Sequence, residues 1–212
     1  MSYTKGIIDP NQYPLTTRYL ANLPAGLDSY TDCLVKTDVH DNIRKIWPQN
    51  DSDNNLPPIL LSYINNTYQE EWYPDVAGCT LLMMLRDKVF STDSEAVNWV
   101  NNNMESIYKR PMYRMLMLVL SPSLIALGAT KRWAAFHRGS TLTAGPIVRD
   151  KDGLATTDLT LIFPAYLFNE MHVRQYAAAY CTALRNTRGQ NPQVFLNGYS
   201  STEAKYIASW KD

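Results

Sequence analysis

The last third of the chain constrains its fold more than any other part, because helix and strand signals alternate there at short intervals. Ser121-Pro122 is a typical helix start, and Gly139 is suited to end that helix. Beyond Gly139 the hydrophobic period changes to two, over residues 141–149 and again over 154–163. The intervening turn contains Asp152-Gly153, a pair that tolerates positive φ, so a β-hairpin is predicted.

The same order is then repeated. Residues 165–188 predict a long helix with Gly189 at its end, and 193–199 with 203–210 predict a closing hairpin in which Tyr206 and Trp210 share one face. The succession strand, strand, helix, strand, strand predicts an α+β protein with a four-stranded antiparallel sheet.

The rest of the chain is expected to be mainly helical. We predict one domain over residues 1–212, with an irregular N-terminal extension over 1–55, a helical layer over 56–139 and the ββαββ unit over 140–212. The segment after Pro111 is apolar at nearly every position and predicts a central core helix.

Composition limits the possible partners. The 20 basic and 20 acidic residues balance, which argues against nucleic acid or an anionic membrane as a partner. The N-terminus has no secretion-signal pattern and no apolar run reaches membrane length, so we expect a cytoplasmic protein. Its three cysteines, odd in number and widely spaced, are expected to be reduced and buried.

No motif for catalysis or metal binding is present in the sequence. His40, His137 and His172 lie in separate elements without ligand spacing, and no G-x-S-x-G sequence occurs. We therefore expect no catalytic and no metal-ligating residues. Haem stays open as a cofactor, because a single axial histidine leaves no spacing signature.

Two segments suggest a binding role, each beside a simpler interpretation. Basic and aromatic residues interleave over 131–138, which suits either an anion-holding edge or an amphipathic helix with a buried aromatic face. Six methionines are compatible with a pocket for an apolar ligand or with ordinary core packing. These methionines are Met83, Met84, Met104, Met112, Met115 and Met117. Packing is the preferred interpretation of both segments.

Three stretches resemble an uncharacterised paralogous protein family best known from myxobacteria: 23–36 (LPAGLDSYTDCLVK), 110–139 (RPMYRMLMLVLSPSLIALGATKRWAAFHRG) and the closing strand that ends in Trp210. More distantly, the arrangement is similar to 4-vinyl reductase small-molecule-binding domains and to the haem nitric-oxide-binding superfamily. The resemblance implies a helical layer joined to a four-stranded sheet, often dimeric, with a ligand-sensing or scaffolding role and no catalytic residues.

The leading hypothesis is a non-catalytic regulatory or sensory protein that binds a small apolar or aromatic ligand or a protein partner. The predicted ligand-binding residues are Met83, Met104, Met115, Trp133, Phe136, His137, Arg138 and Tyr180. Two alternatives remain: a structural protein acting as a homodimer or assembly subunit through the edge of its last hairpin, and an enzyme with an unrecognised site.

Overall fold

The computed structural model describes residues 6, 8–40, 42–48, 55–108, 121–187 and 189–211. Its chain divides into two compact units. Unit 1 consists of Met1–Ala96, Phe136–Gly139 and Pro164–Asn169, and unit 2 of Val97–Ala135, Ser140–Phe163 and Glu170–Asp212. The predicted core helix after Pro111 lies outside the described residues.

Helices and short strands alternate along unit 1. The helices are α1 (Pro14–Ala21), α2 (Ile43–Ile46), α3 (Pro58–Ile64) and α4 (Asp75–Lys88), followed by the first turn of α5 (Asp93–Tyr108). Every residue of α4 from Asp75 to Leu85 is buried, so α4 forms the centre of this unit. Asp75 is the first residue of this helix, and Pro74 occupies the cap position.

A three-stranded antiparallel sheet completes unit 1, in the order β2 (Trp72–Pro74), β1 (Leu34–Lys36), β3 (His137–Arg138). Val35 pairs with Tyr73 on one side and with His137 on the other, and all three side chains are buried. Neighbouring residues alternate between the faces of a strand, so Arg138 points away from this buried row and is exposed. The sequence predicted helix up to Gly139; the helix ends at Phe136 because the next two residues pair with β1.

Unit 2 contains the predicted strand, strand, helix, strand, strand order. Its strands are β4 (Thr141–Ala144), β5 (Val148–Arg149), β6 (Leu154–Ile162), β7 (Gln190–Tyr199) and β8 (Glu203–Lys211). The order across the sheet is β4-β6-β8-β7, and the two-residue β5 also pairs with β6, which makes five strands where four were predicted. All pairings are antiparallel. The predicted α+β class with an antiparallel sheet is confirmed.

The helix ends of unit 2 coincide with residues that favour the start or the end of a helix. Ser121 Oγ accepts a hydrogen bond from the backbone N–H of Leu124 and caps α6 (Pro122–Leu127), as predicted. Gly128 then separates α6 from α7 (Ala129–Phe136). The last helix, α8 (Glu170–Arg185), lies between the two hairpins in sequence, and it is shorter than the predicted 165–188.

Alternation along the strands of unit 2 defines one buried face of the sheet. Ala155, Leu159 and Leu161 of β6 and Tyr206 and Trp210 of β8 are buried. Thr157 of β6 and Ala204 and Ala208 of β8 belong to the same buried set, and the residues that alternate with this set along both strands are half-buried or exposed. The predicted shared face of Tyr206 and Trp210 is therefore the core face, and α8 packs against this sheet with the main-chain oxygen of Val173 accepting the hydroxyl of Tyr206.

Candidate functional site

The eight predicted ligand-binding residues are divided between the two units. Met83, Phe136, His137 and Arg138 belong to unit 1, and Met104, Trp133 and Tyr180 belong to unit 2. Met115 lies outside the described residues. Two of the eight, Trp133 and Tyr180, form a ring contact within unit 2, with centroids 6.3 Å apart.

An aromatic cluster surrounds that contact. The ring of Trp133 lies 5.0 Å from that of Tyr176 at 82°, and the ring of Tyr180 lies 5.4 Å from that of Tyr206 at 89°. Such edge-to-face pairs each contribute about 0.5–1.5 kcal/mol beyond their buried area. We call Trp133, Tyr176, Tyr180 and Tyr206 the aromatic cluster.

Two members of the aromatic cluster are fixed in the core. Trp133 Nε1 donates a hydrogen bond to Ser140 Oγ over 3.0 Å, and the Tyr206 hydroxyl donates one to the main-chain oxygen of Val173 over 3.1 Å. Both side chains are buried, and burial raises the pKa of the Tyr206 hydroxyl. They hold the cluster in one geometry.

The other two members are half-buried. Tyr176 and Tyr180 lie one turn apart on α8, so their rings share one face of the helix. Each of these two side chains keeps part of its surface accessible, whereas the hydroxyl oxygen of Tyr180 is buried. Tyr176 was not predicted; its spacing of four residues from Tyr180 is the sequence signal that identifies it.

The predicted residues of unit 1 occupy different surroundings. Met83 is buried in α4, and its sulfur accepts a hydrogen bond from the side-chain amide of Asn169 over 3.1 Å. Phe136 is 37% exposed. The Arg138 guanidinium carbon lies 3.9 Å from the ring centre of Trp72, a cation–π stack on the outer face of the three-stranded sheet.

His137 forms a buried polar pair at the core of unit 1. Its Nδ1 lies 3.3 Å from Oδ2 of Asp75, the first residue of α4, and both side chains are buried. The contact links β3 to the start of the central helix. The sequence did not reveal it, because the two residues are 62 positions apart.

Buried thiols lie near this pair. All three cysteines lie outside disulfide bonds and are buried, as predicted. Burial, together with the nearby carboxylates of Asp32 and Asp75, raises the pKa of the Cys33 thiol to about 12, and burial raises that of Cys79 well above its ordinary value. Thiols in this state are poor nucleophiles at neutral pH.

The described residues contain no group of three or more histidine, cysteine or acidic side chains placed to hold a metal ion. His137 and His172 are both buried. Over the same described residues, no helix combines the length and apolar character needed to cross a bilayer.

Comparison with known proteins gives a distant likeness. No protein-family model and no curated protein matches the chain. A mutant of the T. Tengcongensis H-NOX protein matches at 12% identity and a TM-score of 0.43, over 95% of this chain and 98% of that one. A Cs H-NOX mutant carrying 4-cyano-L-phenylalanine matches at 11% identity and the same TM-score, over 97% of both chains.

A third match, from work on heme distortion in the H-NOX family, has 12% identity and a TM-score of 0.43 over 83% of this chain and 86% of that one. At this TM-score the likeness carries no weight for function. The myxobacterial family named above is absent from these matches.

Proposed function

We propose that the protein is a non-catalytic regulatory or sensory protein that binds a small, flat, apolar or aromatic molecule at the aromatic cluster of unit 2. The observation that carries this proposal is the combination of two half-buried rings, Tyr176 and Tyr180, with two buried, hydrogen-bonded rings, Trp133 and Tyr206, directly behind them.

The arrangement of the aromatic cluster favours ligand binding for two reasons. Trp133 and Tyr206 are already held by hydrogen bonds, so a ligand does not have to order them, and that lowers the entropic cost of association. The half-buried rings of Tyr176 and Tyr180 also provide apolar contact surface, although the hydroxyl oxygen of Tyr180 is itself buried. Binding without catalysis is consistent with the raised pKa of the Cys33 and Cys79 thiols.

Titration with 1-anilinonaphthalene-8-sulfonate, a fluorescent aromatic probe, tests the proposal. We expect saturable binding that is weakened about two- to tenfold by Tyr176→Ala and by Tyr180→Ala, because each removes an aromatic contact of about 0.5–1.5 kcal/mol. Tyr199→Ala is the matched control, since Tyr199 is an exposed tyrosine on β7, and it should bind as the unmodified protein does. Equal affinity in all four proteins contradicts the proposal.

Haem is a separate ligand class that the sequence left open. We assign no residue to haem, because none of the contacts seen among the described residues identifies an axial ligand. An absorption spectrum of protein purified from its own host tests this point. A Soret band would replace the aromatic-ligand proposal with a haem-binding one, and its absence would leave the aromatic cluster as the candidate site.

A cytoplasmic location is part of the proposal. Three free, buried cysteines are consistent with a reducing compartment. An enzyme with an unrecognised site is the remaining alternative, and the raised pKa of the Cys33 and Cys79 thiols argues only against these two residues as its nucleophiles. Self-association would use a different surface of unit 2 and does not depend on the ligand.

A further inference from the structure

We propose that two copies of this chain associate through β7, which pairs with itself antiparallel about a twofold axis at Phe195. In the described part of unit 2, β7 is the terminal strand of the order β4-β6-β8-β7. A terminal strand presents backbone N–H and C=O groups on its outer side, and these groups accept another extended strand.

β7 carries no charged side chain that would prevent it from pairing with a strand of another chain. Natural edge strands commonly carry charged residues that prevent pairing with another chain. Residues 190–199, QNPQVFLNGY, contain no charged side chain, whereas the adjacent β8 contains Glu203, Lys205 and Lys211. The formal net charge of the whole chain is zero at pH 7, so two copies approach without net repulsion.

Irregular backbone limits the available edge to its middle. The pairing of β7 with β8 shifts register between Gln190 and Gln193 and again between Leu196 and Gly198. Between these irregularities, Gln193 to Leu196 pair residue by residue with β8. The regular part of the strand is therefore short, and Phe195 lies within it.

The side chains of this short stretch match those of the same stretch in a second copy of the chain when the two strands pair antiparallel. With the axis at Phe195, antiparallel pairing within this regular stretch places Phe195 opposite its equivalent and Val194 opposite Leu196 of the partner subunit. Apolar residues thus meet apolar residues at all three positions. A shift of one residue would break this match, because it would move each side chain to the other face.

Phe195 is one of the exposed large apolar side chains on the sheet of unit 2. It is 56% exposed on the outer face of the sheet, where its cross-strand neighbour is Ile207 of β8. In the paired form, Ile207 and Phe195 of both copies form one continuous apolar row across the joined sheets. Asp158, which pairs with Ile207, and Lys205 are polar on this outer face, and the apolar Leu154 and Ile162 lie at the two ends of β6.

The mass of the full chain in solution tests this association by multi-angle light scattering over a dilution series. We expect the unmodified protein at twice the chain mass of 24.2 kDa, dissociating on dilution. Phe195→Lys and Phe195→Glu should each be monomeric, because like charges would face each other across the axis. An equimolar mixture of these two variants should recover the double mass, since lysine then faces glutamate.

Ile162→Lys is the matched control, because Ile162 is a comparably exposed apolar residue on the same sheet, and it should keep the double mass. Circular dichroism checks that all variants fold; Phe195 is exposed, so its replacement should leave the fold intact. A monomeric unmodified protein overturns the proposal. So does a mixture of the Lys and Glu variants that stays monomeric, or a Phe195→Lys protein that remains dimeric. Binding of 1-anilinonaphthalene-8-sulfonate at the aromatic cluster is measured in a separate experiment, so failure of the dimer proposal can be distinguished from failure of the proposed ligand site.

Discussion

Nδ1 of His137 lies 3.3 Å from Oδ2 of Asp75, and this buried contact joins the short strand β3 to the first turn of the central helix of unit 1. A buried polar group that loses its partner costs about 1–3 kcal/mol, since it has been removed from water without compensation. The contact therefore has a larger effect on stability than an exposed ion pair such as Arg174 with Glu170.

A double-mutant cycle measures that coupling. Asp75→Ala and His137→Ala should each lower the free energy of unfolding, and the double variant should lose less than the sum of the two. We expect an interaction energy of about 0.5–3 kcal/mol by urea denaturation. Strict additivity of the two losses would show that the side chains do not interact. Asp158→Ala, which removes an exposed carboxylate on β6, should change stability little.

Gly139 is a close-approach position. Its φ is +76°, and an added Cβ would lie 2.4 Å from the Cys33 sulfur and 2.8 Å from the Cys33 Cα. Gly153 has the same φ of +76° with nothing within 4 Å of the added carbon, which makes it a matched control. Gly153→Ala should cost about 1–2 kcal/mol from backbone strain alone. Gly139→Ala should cost about 1–3 kcal/mol more, because it adds a steric clash. If the two variants lost equal stability in thermal unfolding experiments, the predicted clash between residue 139 and Cys33 would be contradicted.

Asp87, near the end of α4, accepts hydrogen bonds from backbone N–H groups at the start of α1. Its carboxylate accepts hydrogen bonds from the backbone N–H groups of Leu15 and Thr16 and from the Thr16 hydroxyl, at 3.0, 2.9 and 2.7 Å. Tyr13, the residue before α1, provides no side-chain cap. Asp87→Ala should therefore cost about 0.5–2 kcal/mol, a typical capping loss. Hydrogen exchange should accelerate at Leu15 and Thr16 and stay unchanged in α8; unchanged rates in α1 would count against this role.

Alkaline pH should destabilise the protein in part through Cys33. Its thiol has a pKa of about 12 in the folded chain, against an ordinary value of 9.0. The unfolded chain therefore loses this proton first, so the stabilisation is complete below pH 9 and is lost as pH rises from 9 towards 12. The slope from one such group approaches about 1.4 kcal/mol per pH unit. Cys33→Ala should flatten the fall in unfolding free energy over this range, and an unchanged slope would contradict the shift.

Sequence patterns predicted the local features of unit 2 well. The two hairpins, the helix between them and the Ser121 cap all depend on residues close together in the chain, and the structure confirms them. The three-stranded sheet of unit 1 was missed for the opposite reason. Its central strand has three residues, and its partners lie at 72–74 and 137–138. No local period is visible in strands this short.

The candidate site was only partly predictable. Trp133 and Tyr180 were both among the predicted ligand-binding residues, and the structure places their rings in contact. Tyr176 was not predicted, although it lies one helical turn before Tyr180. His137 and Arg138 were assigned to a helix end, but as neighbours on β3 they face opposite sides of the sheet, one towards Asp75 and the other towards Trp72.

The position of a bound aromatic probe tests the central claim most directly. Intermolecular nuclear Overhauser effects between 1-anilinonaphthalene-8-sulfonate and the selectively labelled protein report which rings it touches. The account predicts cross-peaks to the ring protons of Tyr176 and Tyr180. Cross-peaks confined to other exposed aromatic residues, such as Phe195 and Tyr199, would contradict it.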